Sequence, residues 1–200
     1  MQPRKTTVST IVAAIFAITL IATTATARNL SISNQQVRAN FREVRFSGLF
    51  GTTVCQVTVE GSFHSRTIAK VVGQLVGYIT TVRLGPCATG TATVLSETLP
   101  WHVRYRGFQG TLPNITRTDA DIINHSFRVR TPEGFNCLAR STPEMPTRIG
   151  FNREVVTGQI TSANVTGSIE TSCGIPGSFS SDNGPVRLLL TGELIFIRLI

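Results

Sequence analysis

The sequence predicts an all-β fold, a single disulfide-stapled antiparallel β-barrel or sandwich. The chain is rich in Val, Ile, Thr and Phe, which favour strands, and it contains 17 Gly and 9 Pro, which favour turns. Apolar and polar residues alternate in short runs that are separated by turn signals such as LGPCATG and SDNGP. Four cysteines follow an N-terminal export signal, and this even number predicts two disulfides.

Residues 1–27 have the features of a cleaved signal peptide. Arg4 and Lys5 give a positive start, and Ile11–Ala22 is an apolar run too short to span a bilayer. Small residues then end in Ala25-Thr26-Ala27, and we predict cleavage after Ala27. The remaining residues 28–200 are expected to form a single β-rich domain that is secreted or otherwise extracytoplasmic. We expect no transmembrane segment in this mature chain, because no second apolar run of spanning length follows.

The first predicted strands lie between residues 37 and 63. The runs VRANF (37–41) and VRF (44–46) alternate in different phases, which predicts a strand with a bulge at Arg42-Glu43. The run CQVTVEGSF (55–63) alternates without interruption.

Residues 67–82, TIAKVVGQLVGYITTV, can be interpreted in two ways. Their apolar residues recur with a helical period, so one short helix near residues 67–80 remains an alternative. Gly73, Gly77 and the many β-branched residues disfavour a helix, and we expect two strands divided at VGQ.

The segment LPWHVRYRGFQGTLPNIT (99–116) predicts a β-hairpin. Alternation places three large residues on the core-facing side of its first strand: Trp101, Val103 and Tyr105. The opposite side is the best candidate binding surface in the sequence, and it carries His102, Arg104 and Arg106. Gly107 and Gly110 are expected to supply the turn, with Leu112-Pro113 opening the return strand. The tail ELIFIRLI (193–200) is expected to close the chain as a strand.

The mature chain contains Cys55, Cys87, Cys137 and Cys173. Of the three possible pairings, we expect Cys55–Cys87 and Cys137–Cys173, because sequential pairing closes two loops of similar length. Each disulfide should stabilise the fold by roughly 3–4 kcal/mol in the chain-entropy model. No two cysteines have the spacing of zinc ligands, so we expect no metal.

The charge of the chain excludes some partners. The net charge of +8 falls to +6 when Arg4 and Lys5 leave with the signal peptide. Nearly all the remaining positive residues are arginines, scattered along the chain, and Lys70 is the one lysine left. Such a dispersed positive surface favours anionic envelope polymers, whereas nucleic acid requires a clustered basic stripe with aromatic stacking partners.

Candidate catalytic residues are few. Glu60, His64 and His102 are the first choice for acid–base or metal chemistry, although Glu60 and His64 lie about 13 Å apart in a strand. Asp119 and Asp121 share a strand face at about 7 Å, a separation found in glycosidases. The simpler interpretation places all three histidines of the chain at the surface or in turns. No nucleophile elbow, phosphate-binding loop or dinucleotide motif occurs, and we expect no cofactor.

Two segments, VCQVTVEGSFHS and LPWHVRYRGFQGTLPNIT, carry a resemblance. Together with the cysteine at 87 they resemble a group of secreted actinobacterial-type proteins over most of residues 37–140. The resemblance agrees with the signal peptide and the preference for Arg over Lys, and it implies no activity, ligand or site residue.

The sequence as a whole favours a secreted, non-catalytic β-module that acts at the cell envelope or extracellularly. Two alternatives remain open. One is a small extracellular hydrolase that uses a His/Glu or paired-Asp site, and the other is a β-barrel that binds a small apolar ligand.

Overall fold

The computed structural model describes residues 29–200, and these residues form an all-β structure. The predicted signal peptide and its cleavage site lie outside the described residues. A single 3-10 turn, Ser96–Thr98, is the one helical element among residues 29–200. In chain order the strands are β1 (Asn29–Ile32), β2 (Gln36–Gly48), β3 (Gly51–Phe63), β4 (Thr67–Ala69), β5 (Leu75–Thr89), β6 (Thr91–Val94), β7 (Trp101–Thr111), β8 (Asn114–Ile123), β9 (Ser126–Arg130), β10 (Asn136–Arg140), β11 (Thr147–Arg153), β12 (Ile160–Thr171), β13 (Gly177–Ser181), β14 (Val186–Leu188) and β15 (Ile197–Leu199).

A closed antiparallel barrel forms the body of the structure. Its strands follow one another in the order β2, β3, β5, β7, β8, β11, β12 and β13, and β13 pairs back to β2. A barrel of this strand number has an interior that side chains can fill. Because the ring is closed, each of these strands pairs with a neighbour on both sides. The sequence predicted a barrel or a sandwich, and the structure is a barrel.

Two smaller sheets adjoin the barrel. A side sheet continues from β12 through β10 and β9 to β6, and all of its pairs are antiparallel. A separate three-stranded sheet has the order β15-β1-β4. Its strand β4 lies in the chain between the barrel strands β3 and β5. Four buried side chains of this small sheet join the main core cluster: Leu30, Ile32, Ile68 and Ile197. We call the end of the barrel that the sheet covers the capped end.

The predicted bulge in β2 is confirmed, since the register between β2 and β3 shifts between Phe41 and Val44. The alternative of a helix near residues 67–80 is wrong. The segment forms β4, a turn and the start of β5, as the division at VGQ predicted. Gly73 adopts φ +82° in the turn, a conformation that ends any helix, and the Gln74 amide donates to the Val71 carbonyl at 3.1 Å.

The predicted hairpin of residues 99–116 is present as β7 and β8, and its three large residues are buried in the core as expected. On the opposite side His102 and Arg104 are half-buried and Arg106 is exposed. The predicted turn position is wrong, because β7 continues to Thr111 and the chain reverses at Leu112-Pro113. Gly107 and Gly110 instead lie within β7 next to shifts in register, where an extra residue bends the strand.

Both predicted disulfides are confirmed. Cys55–Cys87 joins β3 to β5 at directly opposed positions, with a sequence separation of 32. Cys137–Cys173 joins β10 to the turn that follows its neighbour β12, with a separation of 36. Each disulfide therefore ties strands that are already hydrogen-bonded neighbours.

The aromatic part of the core is formed by barrel strands together with β9 of the side sheet. Phe127 packs against Phe46 and Trp101 with ring centroids 4.9 and 5.3 Å apart, and Phe179 lies 5.0 Å from Phe46. The indole N–H of Trp101 donates to the Thr98 hydroxyl at 2.9 Å, so this buried polar atom is satisfied.

None of the helical structure between residues 29 and 200 has the length and apolarity that a membrane crossing requires.

Candidate functional site

Glu60 lies on the outer wall of the barrel and is engaged by arginines. Its carboxylate side chain is only 8% exposed and lies 2.8 Å from Arg38 Nη2 and 3.8 Å from Arg83 Nη1. Strand β3 places Glu60 opposite both partners' strands, β2 on one side and β5 on the other. A carboxylate held between two guanidinium groups in this way is not left free to act on a substrate.

His64 and His102 lie on either side of Tyr78. The ring centroids of His64 and Tyr78 are 4.6 Å apart, and those of Tyr78 and His102 are 5.1 Å apart, both in edge-on arrangements. Register explains this row, because Tyr78 on β5 is directly opposite His102 on β7. Both histidine rings therefore contact the Tyr78 ring rather than each other's partners in a shared acid–base pair. Glu60, however, is directed to Arg38.

Within the part of the chain that the structure describes, no group of His, Cys, Asp and Glu side chains is arranged to hold a metal ion.

Asp119 and Asp121 on β8 each have a guanidinium partner. Asp119 accepts from Arg117 Nε at 2.7 Å and from Gln109 Nε2 at 3.1 Å. Asp121 lies 3.2 Å from Arg106 Nη1. A glycosidase needs one carboxyl group as an acid and the other as a base or nucleophile. Two separate ion pairs do not supply that division of roles.

A polar network that the sequence did not predict surrounds Arg117. Its side chain is 15% exposed, and Nη1 donates to Asn164 at 2.7 Å and to Asn152 at 3.0 Å. The guanidinium lies over Gly150, where a Cβ atom would collide with it. The network therefore ties β8, β11 and β12 together. The one feature of the sequence that could have indicated it is Gly150, because a glycine inside a strand often marks the close approach of another group.

The binding surface predicted on β7 is partly occupied by the chain itself. His102 contacts Tyr78, and Arg106 pairs with Asp121. Arg104 is opposite Asp121 in the register of β7 and β8. An anion that bound here would compete with Asp121 for these guanidinium groups, and the assignment of this surface stays a prediction.

The outer face of the side sheet carries a second positive surface. Arg128 and Arg130 alternate on β9 and are both exposed. Cross-strand register places Thr93 and Leu138 beside Arg128, and Thr91 and Asn136 beside Arg130. Neither guanidinium meets a carboxylate anywhere in residues 29–200. We call this surface the arginine face, defined by Thr91, Thr93, Arg128, Arg130 and Asn136.

His125 corrects the interpretation that all three histidines are at the surface. It is buried at 1% exposure, and its Nε2 lies 2.7 Å from the Thr147 hydroxyl. Burial lowers the pKa of His125 to about 3, so the ring is neutral at physiological pH. A single histidine between two strand-like runs carries no periodic signal, so its burial was not readable from the sequence.

The barrel interior is filled rather than hollow. An apolar cavity of about 40 Å³ lies near Phe63 and Phe151, and another of about 20 Å³ lies near Trp101. Small-molecule sites usually enclose about 300–1,000 Å³. The two cavities are about tenfold smaller than such sites, and they give no support to the alternative of an apolar-ligand barrel.

No family model, curated protein or solved structure matches this chain. The resemblance of residues 37–140 to secreted actinobacterial-type proteins therefore stays a prediction.

Proposed function

We propose that this chain is a secreted, non-catalytic β-barrel module that binds anionic polymers of the cell envelope through the arginine face. The observation that carries the proposal is the pair of exposed arginines on β9 without a carboxylate partner among the described residues. The predicted signal peptide and the two disulfides support a location outside the cytoplasm, where disulfides form and persist.

The geometry of β9 suits a repeating anionic ligand. Arg128 and Arg130 are two residues apart on one strand face, so their Cα atoms are separated by about 7 Å. Each guanidinium can form two parallel hydrogen bonds with a carboxylate or phosphate group. Thr91, Thr93 and Asn136 flank them and add neutral hydrogen-bonding groups along the sheet.

Four other arginines of the outer surface are less available than Arg128 and Arg130. Arg38, Arg45, Arg106 and Arg140 each pair with an acidic side chain of the chain. A polymer that bound to any of them would have to displace that partner first. Glu133 follows Arg130 closely in the sequence but does not pair with it, and its carboxylate lies over Gly51 of the β2–β3 hairpin.

The test measures retention on immobilised dextran sulfate, with uncharged dextran as the reference and a rising NaCl gradient. The double variant R128Q/R130Q should lose about tenfold or more in affinity at low salt, because charge-assisted hydrogen bonds are lost. The matched control R42Q/R45Q removes the same charge from exposed positions on β2 and should lose much less.

Two outcomes would contradict the proposal. Equal losses in R128Q/R130Q and R42Q/R45Q would show that net charge alone drives retention. A loss confined to R104Q/R106Q would place the binding surface on β7, where the sequence predicted it.

A further inference from the structure

Three loops of this chain share a sequence pattern. Each has two aliphatic residues, then a glycine with positive φ, then Gln or Glu, and two of them have Thr before the glycine. We call them the aliphatic loops: KVVGQ (70–74) between β4 and β5, EVVTGQ (154–159) between β11 and β12, and LLLTGE (188–193), which starts at the last residue of β14 and leads towards β15. Their glycines Gly73, Gly158 and Gly192 have φ of +82°, +76° and +72°.

Two of the loops have the same backbone hydrogen bonds. The Gly158 amide donates to the Glu154 carbonyl at 3.0 Å, and the Gly192 amide donates to the Leu188 carbonyl at 3.0 Å. The hydroxyls of Thr157 and Thr191 accept from the amides two residues later, at 3.1 and 3.3 Å. Glycine and threonine therefore hold these turns, and the turn geometry makes no demand for the aliphatic pair.

The aliphatic side chains at the tips are unusually exposed. Val72 is 74% exposed, Val156 is 90% exposed and Leu190 is 85% exposed. Turn positions of this kind are ordinarily taken by Gly, Asn, Asp, Ser or Pro. Single exposed apolar residues need no explanation, but the same arrangement at three separate tips does.

All three loops lie around the capped end of the barrel. The first follows β4 and the third precedes β15, and both strands pair with β1. The second loop contacts β15, because the Ile197 amide donates to the Gly158 carbonyl at 2.8 Å and Arg198 Nε donates to the Thr157 carbonyl at 3.1 Å. The exposed aliphatic tips thus surround one small sheet.

Cationic side chains accompany these tips. Lys70 directly precedes Val71, Arg153 lies at the end of β11, and Arg198 borders the second loop. Two carboxylates in the loops each accept a hydrogen bond from a loop threonine: Glu154 from Thr157 at 2.6 Å, and Glu193 from Thr191 at 3.0 Å. Arg66 lies beside β1, because its carbonyl accepts from the Ile32 amide at 2.8 Å, and Arg187 is on β14 directly before the third loop.

We propose that the capped end docks on an anionic phospholipid bilayer, with Val72, Val156 and Leu190 entering the acyl boundary and the nearby cations contacting lipid phosphates. Separate aliphatic points on protruding loops suit a fluid layer, which needs no matching pocket for each point. Apolar insertion and attraction to anionic lipid add together in such interfacial binding. This inference goes beyond the proposed polymer binding and uses a different surface.

The experiment is flotation of the exported chain, with its N-terminus verified by mass spectrometry, on vesicles of phosphatidylcholine with phosphatidylglycerol and on vesicles of phosphatidylcholine alone. The wild-type chain should float with the anionic vesicles. The variant V72N/V156N/L190N should lose at least tenfold in partitioning, since about tenfold is expected for each fully inserted aliphatic side chain.

The matched control is L49N/I175N, which alters two aliphatic residues that are 61% and 54% exposed in other loops. It should float like the wild-type chain, as should R128Q/R130Q, which separates this inference from the proposed function. Near-ultraviolet and far-ultraviolet circular dichroism should show that every variant folds.

The inference is overturned if the wild-type chain stays unbound or if the triple variant floats equally well. It is also overturned if light scattering shows a dimer that the triple variant loses while vesicles bind neither protein, because the loops would then contact a second copy of the chain.

Discussion

The variant H125Q should lose less stability in acid than the wild-type chain. His125 lies at the corner between β8 and β9, and its ring is packed against Trp101, Phe127 and Phe179. Its Nε2 lies 2.7 Å from the Thr147 hydroxyl, whereas its Nδ1 has no hydrogen-bond partner among residues 29–200. A protonated ring would carry an N–H at Nδ1 in this buried position, so the neutral form is favoured.

The size of the effect follows from the two pKa values. Burial lowers the pKa of His125 from 6.5 to about 3 in the folded chain. Between these values the unfolded chain holds one more proton than the folded chain, so stability falls as the pH falls. The loss is about 1.4 kcal/mol for each pH unit below 6.5, which is about 2 kcal/mol at pH 5 and approaches 5 kcal/mol at pH 3.

The assay is urea unfolding at a series of pH values from neutral to acid, followed by the fluorescence of Trp101, the one tryptophan of the chain. Gln places its amide nitrogen near the position of Nε2, keeps the hydrogen bond to Thr147 and does not titrate. The quantity to compare is the free energy of unfolding of wild type minus that of H125Q. The control H64Q retains the buried His125 and should keep the acid-dependent loss of stability that this residue causes.

Between pH 7 and pH 4 the free energy of unfolding of the wild type should fall by about 3 kcal/mol more than that of H125Q. A difference that does not change with pH over this range would refute the reasoning, because it would mean that His125 ionises equally in both states.

Two further predictions concern packing on the two sides of the barrel wall. W101A should lower the free energy of unfolding by about 3–5 kcal/mol, measured by circular dichroism during urea unfolding, and W101F should cost less. Weaker dextran sulfate binding by W101A at unchanged stability would instead assign Trp101 to a binding site. G150A should cost about 1–3 kcal/mol, because its Cβ would displace the Arg117 guanidinium from Asp119, Asn152 and Asn164. In the R117A background G150A should cost clearly less, and equal costs in the two backgrounds would refute this explanation.

Local patterns predicted much of the strand content correctly. Alternation placed Trp101, Val103 and Tyr105 on the buried side of β7, because successive side chains of a strand point to opposite faces. The change of phase between Phe41 and Val44 predicted the bulge for the same reason. The helical period at residues 67–80 supported the alternative that proved wrong, since it counted apolar residues of two strands and an exposed turn as one face.

The candidate site residues were harder to predict because their partners are distant in the sequence. Glu60 meets Arg38 only through the register of β2 and β3, and Asp121 meets Arg106 across β7 and β8. The alternation of Arg128 and Arg130 is visible in the sequence. Their lack of carboxylate neighbours among the described residues depends on which strands flank β9.

The sequence by itself determined the all-β class, the pairing expected for Cys55–Cys87 and Cys137–Cys173, and the sidedness of individual strands, because these depend on residue type and on spacing within one segment. Only the tertiary structure decided that the sheet closes into a barrel, that His125 is buried, and that three similar loops lie around one end. Closure, burial and convergence arise from contacts between segments far apart in the chain. Their register and packing are settled only when the whole barrel forms.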